Sequence, residues 1–521
     1  MAYFEAKVKN NLRFSNIYFD LPFLKNREAV LLFYNQKKLS YMILAHLEPK
    51  TLWVNFEKLN AIPRPSKNEE KIRAFIKNFG ARLNLETLED RVGNVIIKKP
   101  ASPGYENHPV VALQSHLDMV HQKNEGTVFD FDNQGIEMYV DGDFVRARGT
   151  TLGADNGIGV AAIMALLEST DLSHPPLEAL FTIDEETGMT GAKELDASLI
   201  QAKILLNLDT EEDDEVDIGC AGGVDVTAQA NYTQESVSGT YSFFKIELSG
   251  LRGGHSGMDI HRGFGNANKI LGGLLLKFFQ DFDARLCAFS GGTLRNAIPR
   301  EAHAIVALPT ADIAAFETWM QAQTKAVKDA FETTEKHLHL STVQSKVQPA
   351  VSIDFQHTFL KVLNEAHNGV YSMDAHFPDL VETSNNLAKV TLGGGKAELA
   401  CLTRSSVEAS KNELAQQLKN TFEAHGFSVT FGNDYPGWQP EADAAILALY
   451  TEVYEQFYKE KPKVVACHAG LECGILKKKL PEVQMISFGP NIEGAHSPDE
   501  CVQIPSVQKF WRLLTALLEK S

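Results

Sequence analysis

The chain has 521 residues, beyond the size at which one hydrophobic core keeps growing, so two or three domains with large cores are expected. Fifty basic against sixty-seven acidic residues give a net charge of −17 with no long basic run, which argues against nucleic acid or an anionic membrane surface as partner. No stretch approaches the ~20 apolar residues that span a bilayer, and the six cysteines form no CxxC pair, so free thiols in a reducing, cytoplasmic setting are expected.

The first 41 residues carry seven basic and three acidic side chains, leaving −21 for the remainder, and show no clear period. Residues 1–43 are read as a loosely attached extension, with Met42 a candidate start; a targeting arm is the alternative. From "TLWVNFEKLNAIPRPS" onward, helical patterns alternate with the short β-branched runs "GNVIIKK", "HPVVALQSH", "LEALFTI" and "AKILLNL". That alternation predicts an α/β domain, a mixed and mostly parallel sheet with helices on both faces, over 44–222.

The glycine-rich "GCAGGVDV" suits a boundary. Long strands such as "YSFFKIELSG" and "EAHAIVALP" follow, with helices such as "GNANKILGGLLLKFF" and a second strand and helix group from "NLAKVTLGGG". This reads as an inserted α+β domain over 223–436, built of two similar halves. After "NDYPGWQP" a helix, the strand "VQMISFG" and the final helix "VQKFWRLLTALLEK" predict that 437–521 completes the first sheet.

In open α/β sheets the ligand sits beyond the carboxyl ends of the strands. Here those ends share one chemistry. "VVALQSHLD" closes on His116 and Asp118, "LEALFTIDEE" on Glu185 and Glu186, "ILLNLDTEE" on Asp209, and "VQMISFGPNIEGAHSPDE" near His496; Asp155 opens the helix in "GADNGIGVAAIMALL". Taken singly, each is an ordinary turn or surface acid. Together they match a site for two divalent ions, in which imidazole and carboxylate suit zinc and a shared carboxylate bridges the pair. Adjacent residues of an extended chain point in opposite directions, so one of Glu185 and Glu186 is expected to bind metal while the other faces the substrate as a general base.

In this order the motifs resemble the dizinc metallopeptidase family of carnosinases, aminoacylases, carboxypeptidase G and desuccinylases, and within it the bacterial aminoacyl-histidine dipeptidases. The phrases that carry the resemblance include "HLDMV", "ARGTTLGADNGIG", "GCAGG", "GGTLRNAIPRE", "YPGWQP", "HAGLECG" and "GAHSPDE". It implies a three-layer catalytic domain with an inserted lid. His116 and Asp209 would hold one zinc, Glu186 and His496 the other, and Asp155 would bridge them through a turn with a cis peptide to Asn156. Asp118 would orient the His116 ring and Glu185 would be the base.

The resemblance further makes His255, in "GLRGGHSGMDIHRG", the lid histidine that polarises the substrate carbonyl. Asn296 and Arg404 match residues on the substrate carboxylate side. In "HAGLECG", His468 and Glu472 stand four apart, on one face if helical, and Glu472 would line the substrate pocket. His121, His174 and His261 receive no role. The implied activity is hydrolysis of Xaa-His and related dipeptides, with two zinc ions per chain for which cobalt or manganese could substitute. Partners are then a dipeptide substrate and a possible homodimer, with no nucleic acid and no membrane. Rival readings are an N-acyl amino-acid deacylase and a non-catalytic, metal-stabilised binding protein.

Overall fold

The computed structural model describes residues 42–521 except Ser238 and His376, so the reading of an N-terminal extension falls, but for Met42 and Ile43, outside the described residues. The alternating segments form an eight-stranded sheet. Across it lie Glu86–Glu89, Val95–Lys99, Leu177–Thr182, Val111–His116, Ile204–Asn207, Gln484–Ser487, Glu215–Cys220 and Lys463–Cys467. The four strands from Leu177–Thr182 to Gln484–Ser487 run parallel, and antiparallel neighbours flank them.

Every residue of Val111–His116 and of Leu177–Thr182 is buried, as expected of parallel strands covered on both faces. Successive residues serve opposite layers. Ile97, Leu113, Ala179 and Leu206 pack with Lys50–Asn60, Ala154–Glu168, Ala445–Tyr458 and Ile504–Lys520. Ile96, Ala112, Leu180 and Leu205 pack with Ala192, Leu195, Ile475 and Leu476 on the other face. The helix Ala154–Glu168 is apolar nearly all round because it is sandwiched within the first of these layers.

A second sheet of nine antiparallel strands, spanning Gly222–Asn231 to Ser428–Tyr435, carries Ala267–Asp281, Ile313–Ala330, Ile353–Glu365 and Glu408–Glu423 in its core. The two strand groups read as halves in the sequence join in this one sheet, through the pairing of Arg285–Gly291 with Val381–Gly393. The chain enters it directly from Glu215–Cys220 and leaves through Trp438, whose backbone exchanges hydrogen bonds of 2.8 and 2.9 Å with that of Cys220. Entry and exit touch at glycines: a Cβ on Gly222 would lie 2.4 Å from the Gly437 nitrogen, so no side chain fits there.

A small four-stranded sheet pairs Ile492–Glu493 and Cys501–Gln503 with Phe144–Ala147 and Met138–Asp141. The loop between its first two strands carries His496 and Glu500 back over the main sheet.

Candidate metal centre

Five side chains, Asp155 at their centre, meet at one place. His116 Nε2 lies 3.1 Å from Asp155 Oδ1 and 3.6 Å from Asp209 Oδ1, while His496 Nε2 lies 3.1 Å from Asp155 Oδ2 and 2.9 Å from Glu186 Oε2. The triads His116–Asp155–Asp209 and Asp155–Glu186–His496 each place their donor atoms within 4.8 Å of one another, and they share one carboxylate. A third such group joins His116 with Glu185 and Glu186.

Each residue is delivered by a definite local device. His116 ends its strand, and its Nδ1 lies 3.1 Å from the Asp118 carbonyl and 3.4 Å from the Asp118 carboxylate, which fixes the ring and leaves Nε2 for the centre. The same Asp118 carboxylate accepts the backbone N–H groups of Glu185 and Glu186 and the Ser66 hydroxyl. Asp155 follows Gly153, which takes a left-handed φ of 71°, and its peptide bond to Asn156 is cis. The Asn156 amide donates to Asp209 and to the Leu208 carbonyl, tying Asp209 to Asp155.

The acidic triplet is not extended, as the sequence reading assumed. The strand stops at Thr182, Asp184 takes a left-handed φ of 52°, and Glu185–Gly188 form one helical turn. Asp184 closes that turn by accepting the Thr187 and Thr190 hydroxyls. One acid therefore builds the turn that aims the other two. Glu186 still differs from Glu185 in its contacts, since only Glu186 reaches His496.

Two buried residues outside the expected set hold this arrangement. Glu500 accepts the backbone N–H groups of Leu152, Gly153, Ala154 and Asp155, satisfying the free donors at the start of helix Ala154–Glu168. The Arg64 guanidinium donates to the carbonyls of Leu117, Asp118 and Gly153 and to Asn60. Each lies in a motif quoted above, "SPDE" and "IPRPS", but neither follows an apolar run, and strand-end reasoning passes over them.

The electrostatics are those of a centre built for cations. Burial disfavours charge on His116, yet Asp209, Asp118 and Asp155 outweigh it and hold the ring well above its ordinary pKa. Asp155 and Glu186 raise His496 to about 11. Burial, reinforced by Asp155 and Glu186, pushes Asp209 up to about 7. Glu185 is pushed well above the carboxylate range by burial and by Asp209, Glu472 and Glu186. Glu186 Oε1 is buried without a hydrogen-bond partner among the described residues. An orphaned carboxylate oxygen, two imidazoles and a shared carboxylate fit divalent ions of the zinc type.

His255 and Arg404 form a separate group on the second sheet. The N–H groups of Gly257 and Met258 point at His255 Nδ1, at 3.2 and 3.1 Å, so the ring proton sits on Nε2. That N–H stands 3.5 Å from Arg404 Nη2, and Ser256 and Tyr435 brace the guanidinium. Burial and the Arg404 charge push His255 down to about 4, so the ring is a neutral donor beside a cationic one. Asn296 is exposed, and its carbonyl accepts the Ser256 N–H. Among the described residues, no hydrogen bond or ion pair joins His255, Arg404 or Asn296 to the five side chains centred on Asp155.

His468 and Glu472 do not share a helical face. The helix begins only at Glu472, and His468 lies in the preceding bend, where its Nε2 meets Ser384 Oγ of the second sheet at 2.8 Å. Glu472 is fully buried rather than part of a pocket wall. Its carboxylate accepts Gln114 Nε2 at 2.7 Å and the Thr182 hydroxyl at 2.6 Å. From Gln114 a buried polar chain continues across the sheet through Asn207, Ser487 and Thr210 to Asp217. The three unassigned histidines lie apart: His121 stacks on Phe131, His174 meets the Pro175 carbonyl, and His261 is exposed.

The sequence profile of peptidase family M20/M25/M40 matches residues 112–520. The cytosol non-specific dipeptidase of Escherichia coli (strain K12) is 42% identical over 480 residues, covering 92% of this chain and 99% of that protein. The crystal structure of aminoacylhistidine dipeptidase from Vibrio alginolyticus, also 42% identical, superposes with a TM-score of 0.88 over 93% of this chain and 99% of that one. Aminopeptidase PepT from Bacillus cereus shares the fold at 16% identity, with a TM-score of 0.53.

Proposed function

This chain belongs to peptidase family M20/M25/M40, and on that footing we propose that it is a metal-dependent dipeptidase that hydrolyses Xaa-His and related dipeptides at the centre around Asp155. The observation that carries the reading is the sharing of Asp155 between two ligand triads, which suits a pair of ions. His116 and Asp209 would hold one zinc and Glu186 and His496 the other, with Asp155 shared by both donor sets; cobalt or manganese could substitute. When bound, the ions supply Lewis acidity toward the scissile carbonyl and lower the pKa of water.

This chain's own residues do the rest. Glu185, kept basic by burial among acids, takes a proton from the attacking water and gives it to the leaving amine. Asp118 orients both His116 and the Glu185–Glu186 turn. Residues 223–436 act as a lid, where His255 Nε2–H stabilises the developing oxyanion and Arg404, with Asn296 nearby, receives the substrate carboxylate. The cytosolic setting of the Escherichia coli relative supports the same setting here.

The test is release of histidine from Gly-His, Ala-His and β-alanyl-histidine, with N-acetyl-histidine alongside, before and after chelation and zinc restoration. Chelator-sensitive cleavage of the dipeptides, restored by zinc, is expected. Cleavage of the acetyl compound alone would replace the reading with a deacylase. No cleavage despite stoichiometric metal would favour a binding protein.

A further inference from the structure

A cavity of about 620 Å³ opens between the two sheets, beside the candidate metal centre. Asp209 forms part of its wall, and Met258, three residues after His255, forms another part. Most of its remaining lining falls into two kinds. Ile218, Val464, Val465, Ala466 and Leu471 give it an apolar side, while Glu211, Glu212, Glu215, Asp217 and Asp379 give it an acidic one. Among the described residues, no lysine, arginine or histidine lines it.

The acids differ in how free they are. Asp217 is tied to the Thr210 hydroxyl, and Glu215 faces Lys463, which Asp214 holds at 2.7 Å. Glu211 is different. It stands two residues beyond Asp209 and is half-buried, and its carboxylate has no hydrogen bond or ion pair among the described residues. A partly dehydrated carboxylate without a partner, on the wall of a cavity large enough for a dipeptide, favours a cation there.

The donors are arranged the other way round. His255 Nε2–H and the Arg404 guanidinium stand together past Met258, a place for negative charge. A dipeptide is a zwitterion, so this polarity sets its direction: carboxyl end toward Arg404, amino end into the acidic cavity. The volume exceeds what an α-ammonium group alone requires, which leaves room for the N-terminal side chain.

We propose that this cavity is the pocket for the N-terminal residue of the substrate, and that Glu211 makes it select dipeptides with a basic N-terminal side chain over those with an acidic one. The inference rests on the dipeptidase reading and names its substrate class.

The experiment compares kcat/KM of the zinc-loaded enzyme for Lys-Gly, Ala-Gly and Glu-Gly, with Gly-Lys and Gly-Glu as the reversed pair. The wild-type protein is expected to prefer Lys-Gly to Glu-Gly by about tenfold or more, and that ratio is expected to shrink with added salt. Glu211→Gln lowers the ratio at least threefold and leaves the Gly-Lys to Gly-Glu ratio as it was. Asp379→Asn, in the lining of the same cavity, lowers it in the same direction and serves where Glu211→Gln fails to fold. Cleavage of Ala-Gly with a Lys-Gly to Glu-Gly ratio near one would overturn the inference and leave the dipeptidase intact. So would a ratio that neither substitution changes, or a charge preference that appears only in the reversed pair. Failure of the wild-type enzyme to cleave Ala-Gly or any histidine dipeptide would remove the dipeptidase reading and this inference together.

Discussion

The Glu500 carboxylate accepts the backbone N–H of Asp155 at 3.3 Å, so the residue shared by both ligand triads is held through its main chain by an acid from the far end of the sequence. Three more N–H groups, those of Leu152, Gly153 and Ala154, converge on the same carboxylate. Glu500→Gln keeps the size but replaces one acceptor oxygen with a donor that faces other donors. Metal affinity is expected to fall ~10–100-fold, the usual cost of removing a group that orients ligands. Competition with a chromogenic chelator measures it; unchanged affinity would reduce Glu500 to a helix cap.

Glu185 and Asp155 separate chemistry from metal retention. Glu185→Ala is expected to keep its metal while kcat falls at least ~100-fold, the scale of a lost general base. Asp155→Ala removes the shared ligand and loses metal. Elemental analysis of the two purified variants decides, and equal metal loss in both would contradict the division.

Arg64 is a buried cation surrounded by Glu500, Asp118, Asp155 and Glu186. Arg64→Met keeps most of the volume but strands the carbonyls of Leu117, Asp118 and Gly153 and leaves the acids uncompensated. A loss of about 3–5 kcal/mol is expected in urea unfolding, because breaking one side of a buried charge arrangement costs that much.

His468 carries an acid sensitivity. Its burial, with the nearby Arg404 charge, pushes it down to about 3. The unfolded chain binds the proton near pH 6.5 and the folded chain does not. The stability contributed is therefore complete above pH 6.5 and is lost as pH falls from there toward 3, by up to about 1.4 kcal/mol per pH unit. Thermal unfolding of metal-free protein between pH 7.5 and 5 is expected to show a shallower decline in His468→Gln than in the wild type.

How much of this was legible in the sequence depended on whether a residue closes an apolar run. His116 and Asp209 sit at or just past buried strands, Glu186 follows one by a single turn, and the sheet order places them on one rim. Asp184, Glu185 and Glu186 were readable as a functional cluster but not as a helical turn, because the left-handed residue that starts the turn is an aspartate and not a glycine. Glu500 and Arg64 escaped because their partners are main-chain groups from Leu117 to Asp155, and backbone partners leave no mark in the text of the sequence. Glu472 misled for a related reason: its spacing from His468 suggested a helix that begins only at Glu472 itself.

The polar chain from Glu472 to Asp217 fixes a proton count. Asn207 Oδ1 meets Ser487 Oγ, Ser487 meets Thr210 Oγ1 at 2.8 Å, and Thr210 meets Asp217 Oδ2 at 2.8 Å. Each contact needs one hydrogen between its oxygens, yet the carbonyl brings none and the two hydroxyls bring one apiece. The third hydrogen is carried by Asp217, whose pKa burial pushes up to about 7. Turning the Asn207 amide alone would set its carbonyl against that of Gln114, and turning both amides would hand the same shortage to Glu472. Of the two carboxyls that end this chain, one is thus a neutral acid in either arrangement. The floor beneath the metal-facing rim carries one negative charge fewer than its carboxyl groups would number.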